Sequence, residues 1–153
     1  MADIFISYST KDEELAQFVR KHLESGGLSV FLASLSLNPG ELWTPKIFEQ
    51  LRGSEWVCLL ASKDALASAS VQMEAGAAIF SNKKLVPIMW NVTPADLPRW
   101  ISDYQGIVVN GATMENLGLQ VAQLAGRIKA DKTKGLLMLG AVVAGLWAMS
   151  RLG

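Results

Sequence analysis

Asp3-Ile4-Phe5-Ile6-Ser7, the loop Tyr8-Ser9-Thr10, and then Leu15, Phe18, Val19, His22 and Leu23 at helical spacing form the stretch that decides the fold. The first five residues read as a short buried strand rich in β-formers. Thr10 and Glu13 have capping-box spacing, and the acids at 12 to 14 fall where a helix dipole favours negative charge. Gly26-Gly27 stops the helix. Leu28-Ser29-Val30-Phe31-Leu32 then reads as a second strand, so the chain opens as strand, helix, strand.

The same alternation continues outward. A loop of about ten residues through Asn38-Pro39-Gly40 leads to Thr44 and Pro45, an N-cap followed by a proline at the first helical position. Ile47, Phe48 and Leu51 give that helix its apolar face. Trp56 to Ala61 is a third strand, Ser68 to Phe80 a helix, and Leu85 to Met89 a fourth strand. Pro87 cannot donate to a ladder, which predicts a bulge or irregularity there. Ile107 to Val109 is a fifth strand, and Met114, Leu117, Val121, Leu124 and Ile128 step along a last amphipathic helix. Strands that alternate with helices call for a parallel sheet covered on both faces. The expected fold is therefore α/β, a flavodoxin-like doubly wound sheet of five parallel strands. Its ligand crevice lies beyond the carboxyl ends of the strands, lined by the loops that start at Tyr8, Ala33 and Ser62.

Composition narrows the function classes. Fourteen basic and fourteen acidic residues cancel, which gives no electrostatic footprint for nucleic acid. Cys58 is the only cysteine and His22 the only histidine, so no disulfide or Cys-rich metal site is available and no metal is expected. Cys58 lies in the apolar run 56–60 and reads as a buried, inert thiol. His22 falls on an apolar helical stripe and reads as a packed histidine rather than a base. No basic-then-apolar leader opens the sequence, which points to a reducing cytoplasm for the globular part.

Glu74 stands out. Between Ala65 and Phe80 it is the only charged residue, among Val71, Met73, Ala75, Gly76, Ala77 and Ala78. Helical spacing puts Val71 and Ala78 on its face. Either it is a surface glutamate on a helix whose other face is buried, or it is a desolvated carboxylate with a chemical task.

The order and spacing of these motifs resemble bacterial-type TIR domains, of the Toll/interleukin-1 receptor/resistance protein family, over roughly residues 1–130. Asp3 to Ser9 is similar to their first strand and loop. Pro39-Gly40-Glu41-Leu42-Trp43 resembles the turn of their second-strand loop. Ser68 to Ala78 resembles their third helix, with a serine six residues before a glutamate, and Pro87 matches a proline of their fourth strand. In the enzymatic branch the matching glutamate drives cleavage of NAD+ between nicotinamide and ribose, so the resemblance implies that role for Glu74. It implies NAD+-contacting positions at Tyr8, Ser9, Thr10, Asn38 and Trp43, with NAD+ as substrate and no cofactor. Thr10 serves equally well as a helix cap, and Trp43 as a core or interface aromatic. Many active relatives carry tryptophan four residues before the glutamate, where this chain has Ser70. That stacking wall is missing or comes from Trp43, Trp90 or a neighbouring subunit.

A second region follows. Residues 131–134 form a short polar linker, and Gly135 to Ser150 contains no charge. As a helix those 16 residues span about 24 Å, slightly less than the roughly 30 Å hydrocarbon core of a bilayer. Lys134, Arg151 and Trp147 suit its interfaces, while Ala141 and Gly145 have small-xxx-small spacing for close helix association. The segment 135–151 is thus either a membrane anchor or a helix buried in an oligomer. Lys129, Lys132 and Lys134 on its amino side favour a cytoplasmic domain held at the inner membrane. The resemblance implies an NAD+ nucleosidase that yields nicotinamide and linear, cyclic or variant ADP-ribose. It further implies activation by self-association in bacterial antiphage defence. The alternatives are a non-catalytic TIR adaptor or a membrane-acting effector working through its tail.

Overall fold

The computed structural model describes residues 2–32, 45–104, 106–109 and 113–152, without the side chains of residues 45, 46, 48, 70 and 134–152. Five strands, β1 (Ile4–Ser7), β2 (Val30–Leu32), β3 (Trp56–Ala61), β4 (Lys84–Trp90) and β5 (Ile107–Val109), form one sheet of order β2-β1-β3-β4-β5. Every pairing is parallel. This is the α/β, flavodoxin-like arrangement expected from the sequence. Helices α1 (Glu13–Ser25) and α6 (Met114–Leu152) cover one face. Helices α2 (Pro45–Gly53), α3 (Lys63–Leu66), α4 (Ala69–Phe80) and α5 (Arg99–Ser102) cover the other.

Alternation along β1 shows how the two faces are built. Ile4 and Ile6 enter the core under α1 and α6, while Phe5 enters the core under α2 and α4. Ser7, one period beyond Phe5, therefore shares Phe5's face. Cys58 is buried, and burial pushes its thiol up to about 12, so it is the inert group expected. His22 is half-buried, its ring packed on Phe18 with centroids 4.2 Å apart and its Nδ1 3.0 Å from the Phe18 carbonyl oxygen. Both contacts fit a packed histidine.

Three local expectations are corrected. Thr10 and Glu13 do not make a capping box. A 3-10 turn over Thr10–Asp12 precedes α1, and Ser9 is its N-cap, with Oγ accepting from the Lys11 amide at 3.3 Å. The turn delays α1 to Glu13 and leaves Asp12 at its N-cap without a side-chain capping bond. Pro87 makes no bulge either. It pairs in register with Leu59, and β5 joins β4 only from Ile88 onward. Gly106 makes this fit possible, since a Cβ there would lie 2.0 Å from the Pro87 carbonyl oxygen. Finally, residues 131–134 do not interrupt the last helix, which continues through them to Leu152. The sequence reading also omitted the short α3 and α5.

The end of α1 follows the expected pattern in detail. Gly27 has φ +88°, its amide donates to the Glu24 carbonyl at 2.9 Å, and the Leu28 amide donates to the Leu23 carbonyl at 3.2 Å. This is a Schellman motif, with Leu23 and Leu28 both in the core. At the far end of the sheet α6 is tied down by two ion pairs, Lys84 with Asp131 and Lys132 with Asp3. Among the described residues no helix is long and apolar enough to cross a membrane. The membrane-spanning expectation for 135–151 thus finds no support there, and the side chains of that segment lie outside the described residues.

Candidate active site at the carboxyl ends of β1 and β3

Strand order reverses between β1 and β3, and the loops leaving these two strands bound the crevice where an open α/β sheet binds ligands. After β1 comes Tyr8-Ser9 and the 3-10 turn. After β3 comes Ser62, the N-cap of α3, whose Oγ accepts from the Ala65 amide at 3.1 Å. The Ser62 hydroxyl also donates to Oδ2 of Asp12. Lys11 and Asp64 pair across the same gap at 3.6 Å. The two walls are thus fixed to each other.

Glu74 closes this region from α4. Ser68 caps α4 by accepting from the Val71 amide at 3.4 Å, which sets the helix phase. Val71, Ala75 and Ala78 then face the sheet as small apolar residues. Glu74 lies on that inner face and is only 4% exposed, so the surface reading of this residue is excluded. A carboxylate taken out of water without compensation costs several kcal/mol. Here the Ser7 hydroxyl donates to Oε2 at 2.5 Å, from a residue that is itself fully buried. The end of β1 is thereby joined to the middle of α4.

The other sequence-derived positions divide. Ser9, in the loop two residues after Ser7, is a cap, and Thr10 is exposed in the first position of the 3-10 turn. Tyr8 follows the opposite alternation. Its ring belongs to the core under α1 and α6, and its hydroxyl donates to Oε2 of Glu13 at 2.7 Å. Hydrogen bonds from Gln17 and then Tyr8 hold the Glu13 carboxyl below its ordinary range. Trp90 packs with the α1/α6 core, across the sheet from Glu74, so it does not stand in for the absent tryptophan. Asn38 and Trp43 lie outside the described residues, as do Thr44 and the side chains of Phe48 and Ser70. Among the described residues no group of His, Cys, Asp or Glu could hold a metal ion.

Two contacts at the candidate site escaped the sequence reading: the Ser7–Glu74 bond and the Ser62–Asp12 bond. The signal for Ser7 was present, since it is a polar residue at an inward position of an otherwise apolar strand. A cavity of about 320 Å³ bounded by Trp56, Leu85, Ile107, Gln123 and Arg127 lies at the amino ends of the strands, away from Glu74.

The fold and the strand order agree with a comparison to protein families, in which the TIR domain model matches residues 4–122. The chain belongs to the TIR-domain family. Solved TIR structures share its fold. The TIR domain of the Toll-related receptor TRR-2 from Hydra magnipapillata is 17% identical, with a TM-score of 0.60, covering 79% of this chain and 98% of that one. A metazoan TIR-STING receptor from C. gigas, solved in complex with 2',3'-cGAMP, is 23% identical with a TM-score of 0.66. A second structure of the C. gigas receptor is 21% identical with a TM-score of 0.60. The alignments cover 82% of this TIR chain in both cases, but only 39% and 40% of the receptor. No curated protein matches the chain.

Proposed function

We propose that this TIR domain is an NAD+ nucleosidase in which Glu74 is the catalytic residue, active on self-association in defence signalling. The observation that carries the reading is a single carboxylate buried at the strand-order switch, on an apolar helix that has no other charge. The chemistry fits one carboxylate. Nicotinamide leaves as a neutral molecule from an already cationic glycosidic nitrogen, so no general acid is required. Positive charge grows on the ribose as the bond breaks, as in glycoside hydrolysis. A fixed negative group stabilises that charge more than the ground state, which is the kind of binding that raises rate. By family resemblance Ser9 and Thr10, at the start of the first helical turn, would meet the dinucleotide, with Asn38 and Trp43 as further contacts.

Glu74 at 4% exposure reaches a ribose only after the elements around it shift. That agrees with a site completed by association. The outer side of α4 supports association as well. Met73 is 53% and Phe80 91% exposed, on the same helix as Glu74. The segment 135–151 adds a second route, to a bilayer or to other copies of the chain. Nicotinamide release by wild type and Glu74→Gln at high protein concentration tests the proposal; a wild type inactive under every assembly condition leaves the non-catalytic adaptor and the membrane-acting effector as the readings.

A further inference from the structure

We infer that Ser7 is a positioning residue for Glu74: its hydroxyl holds the carboxylate ionised and in one orientation for the reaction. The inference rests on the enzymatic reading of Glu74. Ser7 is the last residue of β1 and fully buried, and its Oγ stands 2.5 Å from Oε2. That separation falls at the short end of the range for a hydroxyl donating to a carboxylate. Alanine would suit this inward strand position with no polar atom to satisfy, so the hydroxyl is explained by the group it bonds. A donor to a carboxylate favours the charged form over the neutral acid. The proposed mechanism needs that form, because a neutral acid cannot stabilise a ribosyl cation. β1 is paired on both sides as far as Ile6, and Ser7 itself pairs with Leu59 of β3, which mounts the donor on the sheet.

Among the described residues, the other ionisable groups on the elements packed around α4 have positions and contacts of their own. α4 carries no second charge. Glu49 and Arg52 of α2, Lys63 and Asp64 of α3, and Lys84 at the start of β4 are exposed. Lys83, beyond the end of α4, donates to the Arg52 carbonyl. Asp3, just before β1, pairs with Lys132, Asp12 accepts from Ser62, and Cys58 of β3 belongs to the opposite face.

The test is Ser7→Ala, with Ser7→Thr as the variant that keeps a hydroxyl. Steady-state kinetics across pH are read beside a carbon-13 titration of the Glu74 carboxyl in the full chain without NAD+, its signal assigned by loss in Glu74→Gln. Ser7→Ala is expected to lower kcat by about ten- to a hundredfold with KM little changed. The acid limb of the pH–rate profile and the Glu74 titration should both move to higher pH, with Ser7→Thr restoring most of the rate. An active wild type whose Ser7→Ala variant titrates at the same or lower pH overturns this inference and leaves the enzymatic reading standing. A wild type that never cleaves NAD+ overturns the enzymatic reading and with it the role of Ser7, whatever the titration shows.

Discussion

The hydroxyl of Ser62 donates to the carboxylate of Asp12, joining the loop after β3 to the turn after β1 across the point where strand order reverses. Ser62 also caps α3 through the Ala65 amide, so one side chain serves two elements. Ser62→Ala should lose both bonds and about 1–2 kcal/mol of stability. Asp12→Asn retains an acceptor and should cost less than half of that. Urea unfolding of the two variants checks the order; equal losses would mean that the bridge to Asp12, and not the cap, carries the effect.

Gly106 permits the close approach of β5 to Pro87. Gly106→Ala would set a Cβ 2.0 Å from the Pro87 carbonyl oxygen, backbone that cannot swing aside like a flexible side chain. The expected outcome is a loss above about 2 kcal/mol, in the overpacking class. A variant that unfolds within about 0.5 kcal/mol of wild type would show that β5 shifts freely against β4.

Much of this architecture was legible because it rests on short-range patterns. β1, β3 and β5 follow from β-rich runs, and α4 from its serine cap and small apolar residues. What stayed hidden depends on tertiary placement. Thr10 and Glu13 have the right spacing for a cap, but a 3-10 turn anchored by Ser9 changes which residue starts α1. Pro87 reads as a defect until the ladder is seen to reach β5 only from Ile88. Glu74 was legible as an anomaly in an apolar helix. Its burial and its bond to Ser7, 67 residues away, were not, because no local pattern links the end of one strand to the middle of a later helix.

Tyr8 and Glu13 give a pH signature. Hydrogen bonds from Gln17 and Tyr8 outweigh burial and lower the Glu13 carboxyl from its ordinary 4.5. A lowered carboxyl contributes stability that is fully present above its unfolded value and is lost as pH falls through the folded value. Tyr8→Phe keeps the ring in the core and removes the bond to Oε2. It should cost about 0.5–1.5 kcal/mol near neutral pH. The gap from wild type should narrow below pH 4.5 as Glu13 protonates. Chemical denaturation at pH 7 and pH 3 checks this, and a gap that is unchanged or wider at pH 3 would remove Glu13 from the account.

Association should be readable from concentration dependence. If copies complete one another's sites, nicotinamide release should rise faster than linearly with protein concentration. Phe80→Asp charges the 91% exposed residue at the end of α4 and should weaken assembly with little change in melting temperature. Constant specific activity over a wide dilution series would argue against obligatory assembly. Deleting residues 135–153 should leave a folded domain, because the described core closes without them. Full-length protein that pellets with membranes and resists carbonate extraction would assign the segment to a bilayer. Detergent-free soluble oligomers would assign it to other copies of the chain.

Glu74→Gln bears on the reaction itself. The amide is nearly isosteric, and its carbonyl oxygen still accepts from Ser7, so the buried bond has a route to survive. What disappears is the negative charge proposed to stabilise the ribosyl cation. The expected outcome is a melting temperature close to wild type, retained assembly, and at least about a hundredfold loss of NAD+ cleavage, the scale of removing a principal electrostatic group. Glu74→Ala makes a useful contrast: it leaves Ser7 without its acceptor and opens a cavity, so it should lose stability as well as activity. Nicotinamide release and thermal unfolding, measured on the same three proteins at high concentration, separate the two effects. An active wild type matched by an equally active Glu74→Gln would sink the electrostatic mechanism while leaving the TIR fold untouched.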